Sequence, residues 1–454
     1  MSDGIYAFPH GRKAVARKKK TKAKSITGSD RAFLPAPPAA WKKGAIHVHT
    51  LWSDGRGLPE VAIKVYQDSG YDFIALTDHN VFQEDSQAWR ELMPVEGNWP
   101  PSLSAEALQL YEQNIKAPPD RKKLGFKQFV RLKTFRELKK SMEIPGRFLL
   151  LPGEEITIMG IPLPDGEIRQ VHMNCLNLEQ TLPPLEGRDI SETIRINQEK
   201  FEEAAGRTRK DVFFMVNHPQ WQVFDVEPRD LMENTSVRHF EICNDGSSFF
   251  IPDGIYSLEK FWDIVLAHRI EDGSPVLYGA ASDDAHYTDP GRMHGTAGVA
   301  NAWIMVKCPG RFTAGNVIAA LNRGDYYPTC GVLWEKLSFV NNTLSVKVRP
   351  EEGVHYMIRF VTTKRGFDRT VKKQFYPNKT QALGRNLLEY SDDIGKVVKE
   401  VENTEGAYTM EPDDLYVRAI AISNRKNVLQ SKLFPVYATG WTQPYLNQEG
   451  LQAK

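Results

Sequence analysis

The sequence predicts an α/β protein that ends in a smaller β-rich region. Three observations carry this. Short apolar segments alternate with stretches of helical spacing up to about residue 334. After that point the spacing changes to a period of two. Histidines and carboxylates gather at the ends of the apolar segments, where parallel α/β folds keep their sites.

Residues 1–40 hold nine basic and two acidic residues, a net of +7. The whole chain is +1, which leaves the remainder at −6. Arg17-Lys18-Lys19-Lys20 is the densest part of this run, and Pro35, Pro37 and Pro38 read as a stiff linker. The segment is expected to be a disordered, solvated tail. Contact with nucleic acid or another polyanion is the alternative, and the mildly acidic body does not favour it.

Ordered structure is expected from Trp41. Ala45–His49 reads as a strand, and Pro59–Ser69 as a helix with Val61, Ala62, Val65 and Tyr66 on one face. Gly70 stops it. Phe73–Thr77 is the next strand, followed by 148–151, 171–176, 212–216, 239–242 and 276–280. This rhythm predicts a largely parallel sheet. Residues 82–147 interrupt it. Within them, 94–119 reads as loop. Residues 121–142 read as a surface helix with nine basic residues and a stripe of Phe126, Phe129, Val130, Leu132, Phe135, Leu138 and Met142. A lid or basic rim is the alternative reading of that helix. Residues 337–348, 354–363, 415–423 and 429–438 alternate apolar and polar positions. The expected organisation is a tail over 1–40, a site-bearing domain over 41–334 with its 82–147 insertion, and a sandwich-like all-β domain over 335–454.

The 454 residues are 41% hydrophobic and 25% charged, which excludes wholesale disorder. No run approaches the roughly 18 apolar residues of a membrane span. The basic N-terminus has no apolar segment behind it, so a cytoplasmic protein is expected. Cys175, Cys243, Cys308 and Cys330 are widely spaced, as buried free thiols would be.

The chemistry lies in the strand-end residues. His47 and His49 alternate on a predicted strand and so face one side. Asp54 follows in the turn Ser53-Asp54-Gly55. Asp78-His79, Glu154-Glu155, His172, His218 and Asp283-Asp284-Ala285-His286 occupy the other ends. Six of the eleven histidines fall at such positions. So many imidazoles and carboxylates in one place need cations to offset their repulsion and desolvation. No thiolate is involved, which implies a nitrogen and oxygen site for Zn, Mn or Fe.

In order, the chain carries His-x-His-Thr-x-x-Ser-Asp-Gly, Thr-Asp-His-Asn, Pro-Gly-x-Glu, Asn-His-Pro and Ser-Asp-x-Ala-His. This set resembles the PHP (polymerase and histidinol phosphatase) superfamily over about residues 41–330. The resemblance implies a distorted (βα)7 barrel with a trinuclear divalent-metal site and a metal-bridging hydroxide as nucleophile. Matched by position, it implies His47, His49, Asp54, His79, Glu155, His172, His218, Asp284 and His286 as ligands. Glu155 is matched rather than Glu154, and Asp284 rather than Asp283. Trp41-Lys-Lys-Gly44, Leu415-Tyr-Val-Arg418 and Phe434-Pro-Val-Tyr437 are similar to the carbaryl hydrolase-like branch.

Other polar residues have two readings each. Asp78 is an orienting partner for an imidazole or a helix cap. Arg292 and His294 are a phosphate contact and a general acid, or loop residues in water. Glu241, Asn244 and Asp245 line the mouth or form a hydrogen-bond network at its rim. Trp221 is a substrate platform or a packing aromatic. The expected activity is a phosphoesterase on a small, anionic phosphorylated metabolite or nucleotide. Amide, ester or carbamate hydrolysis is the alternative, and a non-catalytic, metal-stabilised binding module is the second.

Overall fold

The computed structural model describes residues 41–93, 102–163, 166–206, 211–245, 255–287, 298–376, 385–427 and 435–448. The basic tail, Arg292 and His294 lie outside the described residues. Among the described residues, no helix is long and apolar enough to cross a membrane.

The first strand, Trp41–Ala45, runs antiparallel to Trp303–Lys307 and parallel to Phe73–Ala75. Phe73–Ala75 in turn lies parallel to Leu149–Leu151. Both of these three-residue strands are buried throughout. A strand covered on both faces needs a continuous apolar run, which is how they read in the sequence.

A second sheet has five strands in the order Tyr278–Ser282, His239–Asn244, Phe213–Val216, Ile168–Leu176, Gly153–Pro162. Its first two pairings are parallel and its last two antiparallel. The expected largely parallel sheet is therefore half right. Gly153–Pro162 and Ile168–Leu176 are too close in sequence for a crossover and pair as a long hairpin. Among the described residues, continuous strand pairing does not close the two sheets into the expected (βα)7 barrel. Two isolated bridges, Val48 with Ala285 and His79 with Glu155, stitch their ends together beside the histidines.

Helices cover these sheets. Pro59–Asp68 starts on proline and buries Val61, Ala62 and Tyr66 of the expected face; Val65 is only partly buried, and Ile63 is buried in addition. Ile190–Ala204 is capped by the Asp189 carboxylate, which accepts from Glu192 N at 2.8 Å. Leu258–Glu271 buries Phe261, Trp262, Ile264 and Val265, each side chain stabilising the fold by about 1.5–3 kcal/mol or more.

The insertion differs from the expectation. Ala105–Asn114 is a helix inside the supposed loop, capped by Ser104. Residues 121–142 are not one helix. Arg121–Leu124 and Lys127–Arg131 form a hairpin, and only Phe135–Met142 is helical. Gly125 supplies the positive φ (61°) that a two-residue turn requires. Thr134 and Glu137 then form a capping box that starts the helix. Phe126, assigned to an apolar stripe, is 93% exposed at the hairpin tip.

Beyond residue 334 the chain is β-rich, as the alternation predicts. Trp334–Val340, Thr343–Val348 and Glu405–Thr409 form a three-stranded sheet. Tyr416–Lys426 and Tyr437–Trp441 join the first sheet instead, through Thr329 opposite Gly440. One sheet thus crosses the boundary expected at 334/335. All four cysteines are free and buried.

Candidate metal centre

All nine expected ligands converge. Four overlapping groups place single donor atoms within 4.8 Å of one another: His49, Asp54, His79 and His286; His47, His49 and Glu155; His47, His218 and Asp284; His79, Glu155 and His172.

The sequence builds this locally. The Trp41–Ala45 strand stops before His47, and the single Val48–Ala285 bridge holds the His-x-His segment. Asp54 returns on a tight loop. A Cβ on Gly55 would lie 2.4 Å from Thr50 N and 2.6 Å from His49 O, so only glycine allows that close return. Asp284 has a φ of 50°, a kink at the end of the Tyr278–Ser282 strand.

The choice between adjacent carboxylates follows from their directions. Glu155 faces the cluster, whereas Glu154 accepts from Leu182 N at 2.9 Å. Asp283 accepts from Tyr66 Oη and from the backbone N–H groups of residues 300, 301 and 302 at 2.7–2.9 Å. Asp284 faces the histidines.

Four donor atoms decide whether cations fit. His47 Nε2, His49 Nε2, Glu155 Oε2 and Asp284 Oδ1 are buried and have no hydrogen-bond partner. They are nevertheless close. His47 Nε2 lies 3.2 Å from both Glu155 Oε1 and Asp284 Oδ1. His49 Nε2 lies 3.3 Å from Glu155 Oε2 and 3.0 Å from Asp284 Oδ1. Two ligands about 2.1 Å from one cation, at about 90–110°, stand roughly 3.0–3.4 Å apart. The donors therefore fit shared divalent cations, and as bare buried groups they would be costly.

Charge coupling is strong. Burial opposes charge on His79, but Glu155 and Asp54 outweigh it and raise its pKa to about 10. Burial lowers His172 to about 4 against the pull of Glu155. Burial also works against ionised Glu155 and Asp284, yet His47 and neighbouring imidazoles hold both well below the usual carboxylate range.

Around the donors lies a polar shell. His47 Nδ1 donates to Glu241 Oε1 at 2.8 Å, and the same carboxylate accepts from His218 N at 2.9 Å and from Asn244 Nδ2 at 2.7 Å. Ser282 Oγ also bonds to it. Of the two readings for Glu241 and Asn244, the rim network describes them. Thr157 Oγ1 lies 2.6 Å from His79 Nδ1, and Asn217 Nδ2 donates to Glu155 Oε1 at 2.7 Å. Thr157 carries no signal as a lone threonine on a strand. Asn217 was visible only as part of Asn-His-Pro.

Asp78 is buried and accepts from Thr50 N at 2.7 Å, Ser53 Oγ at 2.8 Å and Gln83 Nε2 at 2.9 Å. It ties down the loop between His49 and Asp54 and meets His49 through Ser53, whose Oγ lies 3.4 Å from His49 Nδ1. It caps no helix among the described residues, since the next helix in the chain, Ala105–Asn114, has Ser104 at its N-cap.

No protein-family model matches the chain, and no curated protein matches it. Solved structures do. One is a two-domain protein from Bacteroides vulgatus containing a predicted PHP-like metal-dependent phosphoesterase. It is 15% identical, covers 92% of this chain and 99% of its own, and has a TM-score of 0.38. Another is an amidohydrolase from Chromobacterium violaceum with bound sulfate, 13% identical, covering 56% and 89%, with a TM-score of 0.23. At such scores the functional reading rests on the side chains of this chain.

Proposed function

We propose that this protein is a metal-dependent hydrolase of the PHP type that cleaves phosphoesters of small phosphorylated metabolites or nucleotides. The observation that carries the reading is the set of four buried donor atoms without hydrogen-bond partners, linked by three approaches of 3.0–3.3 Å. Nine donor side chains, at about three for each open catalytic site, suit three divalent cations of Zn, Mn or Fe. Bound cations would neutralise a phosphoryl oxygen and lower the pKa of water towards neutrality.

The chain's own residues do the rest. His47, His49, Glu155 and Asp284 form the buried floor. Asp54, His79 and His286 are 28%, 14% and 23% exposed at their side chains and face the approaching substrate. Glu241 fixes the proton of His47 on Nδ1, leaving Nε2 for the floor. Asp78 holds the loop that carries Asp54. Arg292 and His294, six and eight residues after His286 in the chain, are proposed as phosphate contact and leaving-group acid.

The test loads purified protein separately with manganese and zinc. It then supplies p-nitrophenyl phosphate, bis-p-nitrophenyl phosphate, p-nitrophenyl acetate and carbaryl, with His49→Ala alongside. Phosphoester cleavage lost in the variant is the expected result. Cleavage of acetate or carbamate alone would replace the phosphoesterase reading with carboxyl-ester or carbamate hydrolysis. Bound metal without any turnover would leave a binding module.

A further inference from the structure

Directly after His218 the backbone takes a costly path. Gln222, Val223 and Phe224 all lie in the left-handed region, at φ of 50°, 67° and 60°. A β-branched residue there is a genuine outlier, and such conformations persist only where the surroundings enforce them. Here they do. Val223 and Phe224 are fully buried, and Phe224 stacks on Phe261 with ring centroids 5.8 Å apart. Asp225 N donates to Trp221 O at 2.9 Å and closes the turn. From the distant strand Arg385–Tyr390, Arg385 donates Nη1 to Val223 O at 3.3 Å and to Asp225 Oδ1 at 2.8 Å.

The enforced turn presents Trp221. Its ring is half-buried and lies 5.8 Å from the ring of His218, one of the donors of the metal cluster. A flat apolar face thus borders a site otherwise made of imidazoles and carboxylates. We propose that Trp221 determines specificity by stacking on a flat aromatic group in the substrate's organic part, and that Arg385 is a positioning residue that holds the turn. This rests on the hydrolase reading above and narrows its substrate to phosphoesters with an aromatic organic part.

The test is isothermal titration of the manganese-loaded protein with phenylphosphonate and methylphosphonate. They share one anion, differ in the flat group and do not turn over. The readout is the ratio of the two affinities. Stacking on one ring favours phenylphosphonate by about tenfold in the wild type. Trp221→Ala should bring the ratio within about twofold of unity, and Trp221→Phe should keep most of it. Arg385→Ala should lower the ratio as Trp221→Ala does. Arg385→Lys, which keeps the charge but loses the planar fork, should fall between. If Arg385→Ala does not fold, Arg385→Lys decides that part. A wild type that does not prefer phenylphosphonate, or a ratio unmoved by Trp221→Ala, would overturn the proposal. Turnover of p-nitrophenyl phosphate is scored separately. Turnover with an unmoved ratio sinks the platform alone, and a Trp221-dependent ratio without turnover sinks the phosphoesterase reading alone.

Discussion

The Glu241 carboxylate accepts a 2.8 Å hydrogen bond from Nδ1 of His47, and neither side chain is exposed. A carboxylate offers no proton, so the ring proton stays on Nδ1 and Nε2 is free to face Glu155 and Asp284. Such outer partners typically govern about 10–100-fold of metal affinity. Glu241→Gln keeps the shape but can present an amide N–H to the ring and favour the wrong tautomer. Metal affinity should fall by about that factor with the fold retained, as read by competition with a chelating dye. Unchanged affinity would remove the orienting role.

His49 and Asp284 approach each other at 3.0 Å through atoms that lack hydrogen-bond partners. If they share a cation, losing either should remove metal and turnover together. His49→Ala and Asp284→Ala should each bind fewer metal ions per chain and lose at least about a hundredfold in rate. Metal counting by elemental analysis, with circular dichroism as a check on folding, reads both. Full turnover in either variant would sink the assignment.

The gathering of histidines and carboxylates was legible from residue type and strand-end position, whereas the choice of Glu155 over Glu154 and of Asp284 over Asp283 came from the resemblance to the PHP pattern. Strand direction was not legible. The apolar run 171–176 reads the same whether its neighbour runs parallel or antiparallel, and the hairpin with Gly153–Pro162 emerged only with the pairing. Residues 121–142 misled because Phe129, Val130 and Leu132 suit both periods, while the turn at Gly125 weighs little against a stripe of seven apolar residues. The reach of Arg385 to Val223 spans 162 residues and leaves no local trace. Thr157 and Ser53 act through geometry that common polar residues do not announce.

Glu154 stands next to Glu155 and points the other way. Burial raises its pKa from 4.5 to about 8, with Leu182 N–H opposing and Glu84 adding to the rise. Between those two values the unfolded chain has released a proton that the folded chain keeps. Stability is therefore undiminished below about pH 4.5 and falls as pH rises towards 8, by about 4–5 kcal/mol at about 1.36 kcal/mol per unit. Glu154→Gln mimics the neutral acid and should remove this decline. Urea denaturation of both proteins at pH 5 and pH 8, with chelator present, should show the variant gaining relative stability at the higher pH. Parallel profiles would mean that Glu154 ionises in the folded state.

Asp263 on the Leu258–Glu271 helix binds Arg418 from the Tyr416–Lys426 strand through two bonds, of 2.8 and 2.5 Å, and also accepts from Tyr416 Oη at 2.7 Å. Both partners are at most 3% exposed at the side chain. Removing one leaves the other charged and buried, which costs about 3–5 kcal/mol, whereas removing both does not double that cost. Asp263→Asn and Arg418→Met should each lower the urea midpoint strongly, and the double variant should lose clearly less than the two losses combined. Additive losses would show that the pair is not coupled. The same curves test the boundary read from the sequence at 334/335. This ion pair and the shared sheet tie the two regions together, so the wild type should unfold in one transition. Two transitions in the wild type would mean that residues 335–454 fold as a separate unit despite those ties.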